Sequence, residues 1–167
     1  MIDIRTATPD DALGITIVNV YTWQTAYQGL IPERVIEERI ENLPARAQSC
    51  REVLRESGNC FVATSDGVII GFCRYGASRN ESYPDAGEVH AIYVLKGYSG
   101  TGIGRMLLTA AMGALRGQGH GTMILNCLQG NAARGFYEHM GGRCVGKRSD
   151  EVLGATLTED ILLFSLS

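Results

Sequence analysis

The sequence predicts a mixed α/β (α+β) domain: a twisted central sheet of about seven strands flanked by helices. Three observations predict it. Strand-like and helix-like segments follow one another as β, α, α, then β, β, β, then α, β, α, and finally β, β. One strand, Glu88 to Val94, runs directly into a glycine-rich turn that opens a helix. The stretch Thr122-Met123-Ile124-Leu125-Asn126-Cys127-Leu128 is apolar almost throughout, as a strand covered on both faces must be.

The 167 residues suit one domain, 1–167, large enough for a substantial core. With 45% hydrophobic and 20% charged residues the chain is not of the disordered class. A net charge of −3 argues against nonspecific nucleic-acid binding. No apolar run approaches the ~20 residues that span a bilayer. The start, Met1-Ile2-Asp3-Ile4-Arg5, lacks the basic-then-apolar pattern of a secretory signal. Cys50, Cys60, Cys73, Cys127 and Cys144 are odd in number, scattered, and without Cys-x-x-Cys spacing. They read as reduced thiols of a cytoplasmic protein, and as neither a disulfide frame nor a zinc site. His90, His120 and His139 are far apart in sequence, so no metal is expected.

In chain order, Ile2 to Arg5 alternates as a short first strand. Thr8-Pro9-Asp10-Asp11 reads as a helix start: a capping threonine, proline in the first turn, then acids. Leu13, Ile17, Val20 and Tyr21 are the expected apolar face of that helix. Trp23 to Pro32 is rich in large side chains, and Trp23 and Tyr27 stand at i and i+4. Glu33, Glu37, Glu38 and Glu41 follow, mixed with Arg34 and Arg39. They make either an acidic rim that draws in a cationic amine or a solvated helix face. Pro44 starts another helix that ends near Ser57-Gly58.

Cys60 to Thr64 and Val68 to Tyr75 flank Asp66-Gly67, a hairpin-turn dipeptide. The loop from Ala77 to Gly87 leads to the strand at Glu88. After the glycine-rich turn, Ile103, Leu107, Ala110, Ala111 and Ala114 fall on one helix face. Asn131 to Gly142 reads as a short helix with Asn131 as cap and Gly141 as stop. Two late strands, Arg143 to Lys147 and Asp160 to Ser165, complete the sheet.

The chemistry starts at Val94-Leu95-Lys96-Gly97-Tyr98-Ser99-Gly100-Thr101-Gly102-Ile103-Gly104-Arg105. Glycines let backbone N–H groups approach a ligand, and the first N–H groups of a helix are unpaired beside a positive dipole. That geometry attracts phosphate. Gly104 is followed by Arg105 and Met106, which excludes a Gly-Lys-Ser/Thr nucleotide loop. G-x-G-x-x-G also fails, since Arg105 or Leu107 would stand at its third glycine.

What remains resembles the acyl-CoA loop of the GNAT superfamily of N-acetyltransferases, (Gln/Arg)-x-x-Gly-x-(Gly/Ala). Ser99, Gly102 and Gly104 hold its positions, and Ser99 departs from the usual Gln or Arg. A second segment, Asn131-Ala132-Ala133-Arg134-Gly135-Phe136-Tyr137-Glu138-His139-Met140-Gly141-Gly142, resembles the Asn…Phe-Tyr-Glu…Gly-Gly signature after the fifth strand of small bacterial members. Trp23-x-x-x-Tyr27 is similar to a segment that walls the acceptor site in one branch. The resemblance covers nearly the whole chain and is strongest from Glu88 to Arg143.

The resemblance implies a splay between strands 4 and 5, with pantetheine in the gap. It implies acetyl-CoA contacts from the backbone of Ile92, Tyr93 and Val94. Ser99, Gly100, Thr101, Gly102, Ile103, Gly104 and Arg105 would hold the pyrophosphate, and Asn131, Phe136 and Tyr137 would flank the cofactor. Trp23, Tyr27, Glu88 and His90 would contact the acceptor, and the cavity near Asn126 would set donor length.

An alkyl ammonium has a pKa of ~10.4, so a base must help it attack the thioester near neutral pH. Glu88 stands where members often place that base, acting through a water, and His90 shares its strand face. Tyr137 matches the family's general acid. Its reference pKa of ~10 exceeds that of a thiol, ~8.5, so a hydrogen bond to developing sulfur charge describes it better than proton donation. The expected activity is acetyl transfer from acetyl-CoA to the primary amine of a small molecule, by direct attack in a ternary complex. The alternatives are a CoA-binding sensor domain without turnover and a protein N-terminal or lysine acetyltransferase. Many members are homodimers, but no stretch here specifies an interface.

Overall fold

A computed structural model describes residues Met1–Ser167. The sheet has seven strands: β1 (Ile2–Thr6), β2 (Cys60–Ser65), β3 (Val68–Ala77), β4 (Gly87–Val94), β5 (Thr122–Leu128), β6 (Arg143–Val152) and β7 (Ala155–Ser165). Their spatial order is β1-β2-β3-β4-β5-β7-β6. All neighbours are antiparallel except β4 and β5. The helices are α1 (Ala12–Ala26), α2 (Glu33–Glu41), α3 (Leu43–Glu56), α4 (Ile103–Gly117) and α5 (Arg134–His139).

Strand alternation divides the core between the two sheet faces. Cys73 points to the larger cluster, of 18 buried residues, beneath α4 and α5. Its neighbour Phe72 points to the other face, against Ile15 and Val18 of α1 and Leu54 of α3. On β5, Leu125 and Cys127 join the α4 side, while Leu128 joins Tyr27, Val35 and Ile36 around α2.

The α4 face departs in part from the periodicity. Ile103, Leu107 and Ala111 are buried as expected, but Leu108 and Leu115 complete the face while Ala110 and Ala114 are only half-buried. The α1 face is a clearer correction. Leu13, Ile17 and Tyr21 are exposed, and the helix buries Ala12, Ile15, Thr16 and Val18 instead. Apolar residues occur all round α1, so spacing could not choose between its faces. Val20 is buried as expected.

The start of α1 is pinned by a charged cap. A 3₁₀ turn, Pro9–Asp11, precedes the helix. Thr8 N–H donates to Asp11 Oδ2 at 2.8 Å, and Arg5 donates to both Asp11 oxygens at 2.8 and 2.9 Å. The Arg5 guanidinium, more than the Thr8 N–H, holds the Asp11 carboxyl below its ordinary range against the opposing effect of burial. A carboxyl depressed in the folded state stabilises above its unfolded pKa and loses that contribution as pH falls through the folded one. Asp11→Ala is therefore expected to cost roughly 1–2 kcal/mol at pH ~7, and less below pH ~4 as the wild type loses the same interaction. Urea denaturation at the two pH values checks this.

Two irregularities shape the site. Tyr75 pairs with Val89 and Arg74 with Ala91, so His90 is an extra residue on β4. A bulge of this kind bends its strand and breaks the alternation. Val89 and Ile92, three apart, therefore both reach the core beneath α4. The second is the length of the β6–β7 hairpin, which runs past the expected Lys147 and Asp160 to a turn at Leu153 (φ 49°) and Gly154 (φ 80°). Its outer half includes Arg148-Ser149-Asp150-Glu151, too charged to show a strand pattern.

Candidate active site

The parallel pairing of β4 with β5 covers only Gly87↔Met123, Glu88↔Ile124 and Val89↔Leu125. It ends at the residue before the His90 bulge. Beyond it, Ile92, Tyr93 and Val94 pair with β3 alone, which leaves their other edge without a strand partner. The expected splay is present. A cavity of about 220 Å³ occupies this region.

An aromatic wall closes one side of the cavity. Trp23, near the end of α1, and Tyr27, just past it, meet edge to face with centroids 5.0 Å apart. Trp23 Nε1–H donates to the Tyr93 hydroxyl at 3.2 Å. Tyr27 packs on the α2 cluster and lines the cavity, so it fills core and forms wall together. Asn131 caps the approach to α5, its Oδ1 accepting from Ala133 N–H at 2.9 Å, while its Nδ2 donates to the Tyr27 hydroxyl at 3.4 Å. The helix itself begins three residues later than the cap, at Arg134.

Tyr137 enters from α5 and is 7% exposed, lining the cavity with Ile92, Tyr93 and Asn126. Burial, helped by the neighbouring Tyr93, pushes its phenol up, so it stays protonated and acts as a donor. Burial does the same to Tyr27 and Tyr93. Asn126 Oδ1 is a buried acceptor with no hydrogen-bond partner, an arrangement that costs free energy unless a ligand supplies a donor.

The glycine-rich loop lies at the end of β4. A 3₁₀ turn over Lys96–Tyr98 leads to Gly100 (φ 77°) and Gly102 (φ 86°), left-handed conformations that favour glycine. Gly102 caps α4 with no side-chain hydrogen bond, and Thr101 Oγ1 is turned back onto Tyr98 O. The backbone N–H groups from Gly100 to Arg105 donate to no backbone carbonyl. Phe136 of α5 packs beside Gly104, its ring 3.7 Å from where a Cβ would stand, and ties the loop to the second motif.

Glu88 is 3% exposed and lies behind the cavity wall. Its carboxylate accepts from Arg79 N–H at 2.8 Å and from Arg79 Nη2 at 3.4 Å, and the Arg79 side chain lines the cavity. His90 lines the cavity directly. Its Nε2 lies 3.0 Å from Ala77 O, and a carbonyl can only accept, so Nε2 carries the proton and the neutral ring keeps a lone pair on Nδ1. Burial lowers the His90 pKa and favours that neutral form.

The sequence reading missed a charged group of lining residues: Arg39, Arg79, Arg148, Asp150 and Glu159. Burial raises the Glu159 carboxyl, and Arg148, 3.7 Å away, opposes the rise. The last three arrive on the part of the hairpin whose charges hid its strand pattern. Arg39 was visible only as one charge among the acids of α2. None of those acids lines this cavity; Glu38 instead hydrogen-bonds Asn42 and pairs with Arg46. The free Cys60 and Cys127 thiols are raised by burial, to about 12 and about 11, which favours the protonated form.

The profile of the Acetyltransferase (GNAT) family matches residues 19–142. The chain is 28% identical over 160 residues to the uncharacterized N-acetyltransferase YuaI of Bacillus subtilis, covering 95% of this chain and 90% of that one. It is 29% identical over 148 residues to the probable N-acetyltransferase Rv2775 of Mycobacterium tuberculosis, covering 85% and 82%. Among solved structures, the PaiA N-acetyltransferase of Thermoplasma acidophilum in complex with coenzyme A shares the fold, with TM-score 0.78, 21% identity and 99% of each chain covered. So does YncA, a putative acetyltransferase from Salmonella typhimurium with its cofactor acetyl-CoA, with TM-score 0.71, 19% identity and 100% and 95% covered. The strand splay, the open run of N–H groups after it and the match across residues 19–142 agree: this chain belongs to the acetyltransferase (GNAT) family.

Proposed function

We propose that this acetyltransferase moves the acetyl group of acetyl-CoA to the primary amine of a small molecule, by direct attack on the thioester in a ternary complex. One observation carries the reading: a run of backbone N–H groups without acceptors, Gly100 to Arg105, stands beside a strand splay that opens into a lined cavity. The first feature suits a pyrophosphate. The second suits an amide-bearing chain, which the free β4 edge at Ile92, Tyr93 and Val94 can hydrogen-bond as a partial strand. At about 220 Å³, walled by α1, α2 and the β6–β7 hairpin, the cavity favours a small acceptor over a folded protein surface.

In the reaction the amine nitrogen bonds to the thioester carbon, the C–S bond breaks and the nitrogen loses a proton. Tyr137 donates a hydrogen bond to the sulfur as it gains charge. Glu88 takes the amine proton through a water. Arg79 both holds the Glu88 carboxylate and reaches the cavity, which puts the charge near the acceptor without exposing it. His90, neutral and with Nδ1 free to accept, contacts the acceptor. Placement in the cytoplasm is supported by four buried free thiols and an exposed one, Cys144. No helix is long and apolar enough to cross a membrane.

A thiol-release screen of amine classes with acetyl-CoA tests the function. Absence of release with every class would favour the CoA-sensor alternative. Glu88→Gln tests the base: its rate deficit should be largest near neutral pH and shrink at high pH, where more amine is already neutral. A deficit equal at all pH values would assign Glu88 to holding the Arg79 segment in place.

A further inference from the structure

The cavity holds one cation with no carboxylate in direct contact. Arg39 projects from α2, half-buried, into the cavity wall. Its guanidinium carbon lies 3.4 Å from the Trp23 ring centroid, and its Nη1 donates to Asn19 Oδ1 at 3.4 Å. The cavity's other two arginines are ion-paired, Arg79 with Glu88 at 3.4 Å and Arg148 with Glu159 at 3.7 Å. Arg39 has no carboxylate within 4.0 Å.

A partly desolvated charge without a partner is costly to keep in a fold. Burial depresses its pKa to about 10, which leaves it charged near neutral pH. Trp23 packs against the guanidinium and Asn19 takes Nη1, while Nε–H and Nη2–H make no hydrogen bond and suit a two-oxygen anion. From other elements, Asp150 and Glu159 bring negative charge to the same cavity, and Asn126 Oδ1 waits there for a donor. The cavity thus carries a cation without an ion-pair partner, together with two carboxylates that share the single Arg148 and so suit an ammonium.

We infer that Arg39 anchors a carboxylate on the acceptor, so that the acceptor is an amine that also carries a carboxylate. The inference rests on the acetyl-transfer reading. A carboxylate fits better than a phosphate dianion, because Asp150 and Glu159 in the same cavity oppose a second negative charge.

Trp23 is the chain's only tryptophan and touches Arg39, so its fluorescence reports occupancy of the anchor. The full chain is titrated with matched pairs: L-leucine against L-leucinamide, and L-phenylalanine against its amide. O-phosphoethanolamine is the phosphate-bearing probe. Thiol release from acetyl-CoA is followed in parallel. In at least one pair the acid should bind roughly 10- to 100-fold tighter than the amide, the effect of a hydrogen-bonded charge. Arg39→Gln should bring the acid down to the amide, and Arg39→Lys should restore the preference only in part.

Acids that bind no tighter than amides in the wild type would overturn the anchor without any variant having to fold. So would a preference that survives in Arg39→Gln, or tighter binding of O-phosphoethanolamine than of either acid. The two readings separate cleanly. Thiol release that is as fast with amides as with acids sinks the anchor and leaves acetyl transfer standing. No thiol release from any amine sinks acetyl transfer and, with it, the assignment of the bound carboxylate to an acceptor, even where fluorescence shows the preference.

Discussion

Valine in place of Gly102 is expected to weaken acetyl-CoA binding by roughly 100-fold or more, equivalent to about 2.7 kcal/mol. Gly102 sits at φ 86°, where a β-branched residue is strained by about 1–3 kcal/mol even though no atom stands within 4 Å of the added Cβ. Relief of that strain rotates the peptide and turns the N–H groups that follow away from a common ligand. Gly104→Val separates this effect from simple obstruction. Gly104 lies in the first turn of α4, and a Cβ there meets only the Phe136 ring at ordinary distance, 3.7 Å. The helix should tolerate valine, while its bulk hinders the approach of phosphate to the N–H groups. Ser99→Ala removes one neutral hydroxyl from an exposed residue and should change little. Calorimetry with acetyl-CoA measures all three. Wild-type affinity in both glycine variants, with unchanged melting temperature, would refute the loop assignment.

The loop and the second motif were legible because each is continuous in sequence. Gly100, Gly102 and Gly104 stand on one short stretch, and Asn131 lies just ahead of the helix that carries Phe136 and Tyr137, so residues that meet in the fold are also neighbours in the chain. Thr122 to Leu128 was legible to the residue, since burial on both faces makes it apolar throughout. The charged part of the cavity lining was not. Arg39, Arg148, Asp150 and Glu159 come from α2 and an extended hairpin, and meet only in the folded chain. A charged, outward-facing half-strand carries no alternation from which its length can be read. The His90 bulge was hidden for a related reason. Glu88 to Val94 reads as a plain strand, and one residue unmatched in β3 pairing becomes visible only once the partner strand is in register. Yet it is there that pairing with β5 stops.

Tyr137→Phe should lower turnover by roughly 100-fold while acetyl-CoA affinity changes far less. The substitution leaves packing in place. Tyr137 N–H donates to Ala133 O at 3.1 Å, and its ring lies 5.5 Å from that of Phe136, centroid to centroid, within the core beneath α4. Only the hydroxyl is lost. The neutral thioester sulfur is a weak acceptor, so little binding depends on that hydroxyl before reaction. As the C–S bond breaks the sulfur gains charge, and a fixed donor in a water-poor site then matters most. Because burial raises the phenol well above its ordinary value, it is a poor proton source for a thiolate, and the contribution expected of it is a strengthening hydrogen bond. The product thiolate would then leave the site unprotonated or take its proton from solvent. Two readouts follow. The loss in Tyr137→Phe should appear in kcat and kcat/KM alike, the mark of an interaction made mainly in the transition state. It should also be independent of pH across the range where Glu88 is expected to govern the rate, since burial keeps the phenol protonated there. Wild-type turnover in Tyr137→Phe, with saturating acetyl-CoA and chemistry rate-limiting, would show that Tyr137 is a core aromatic that happens to line the cavity.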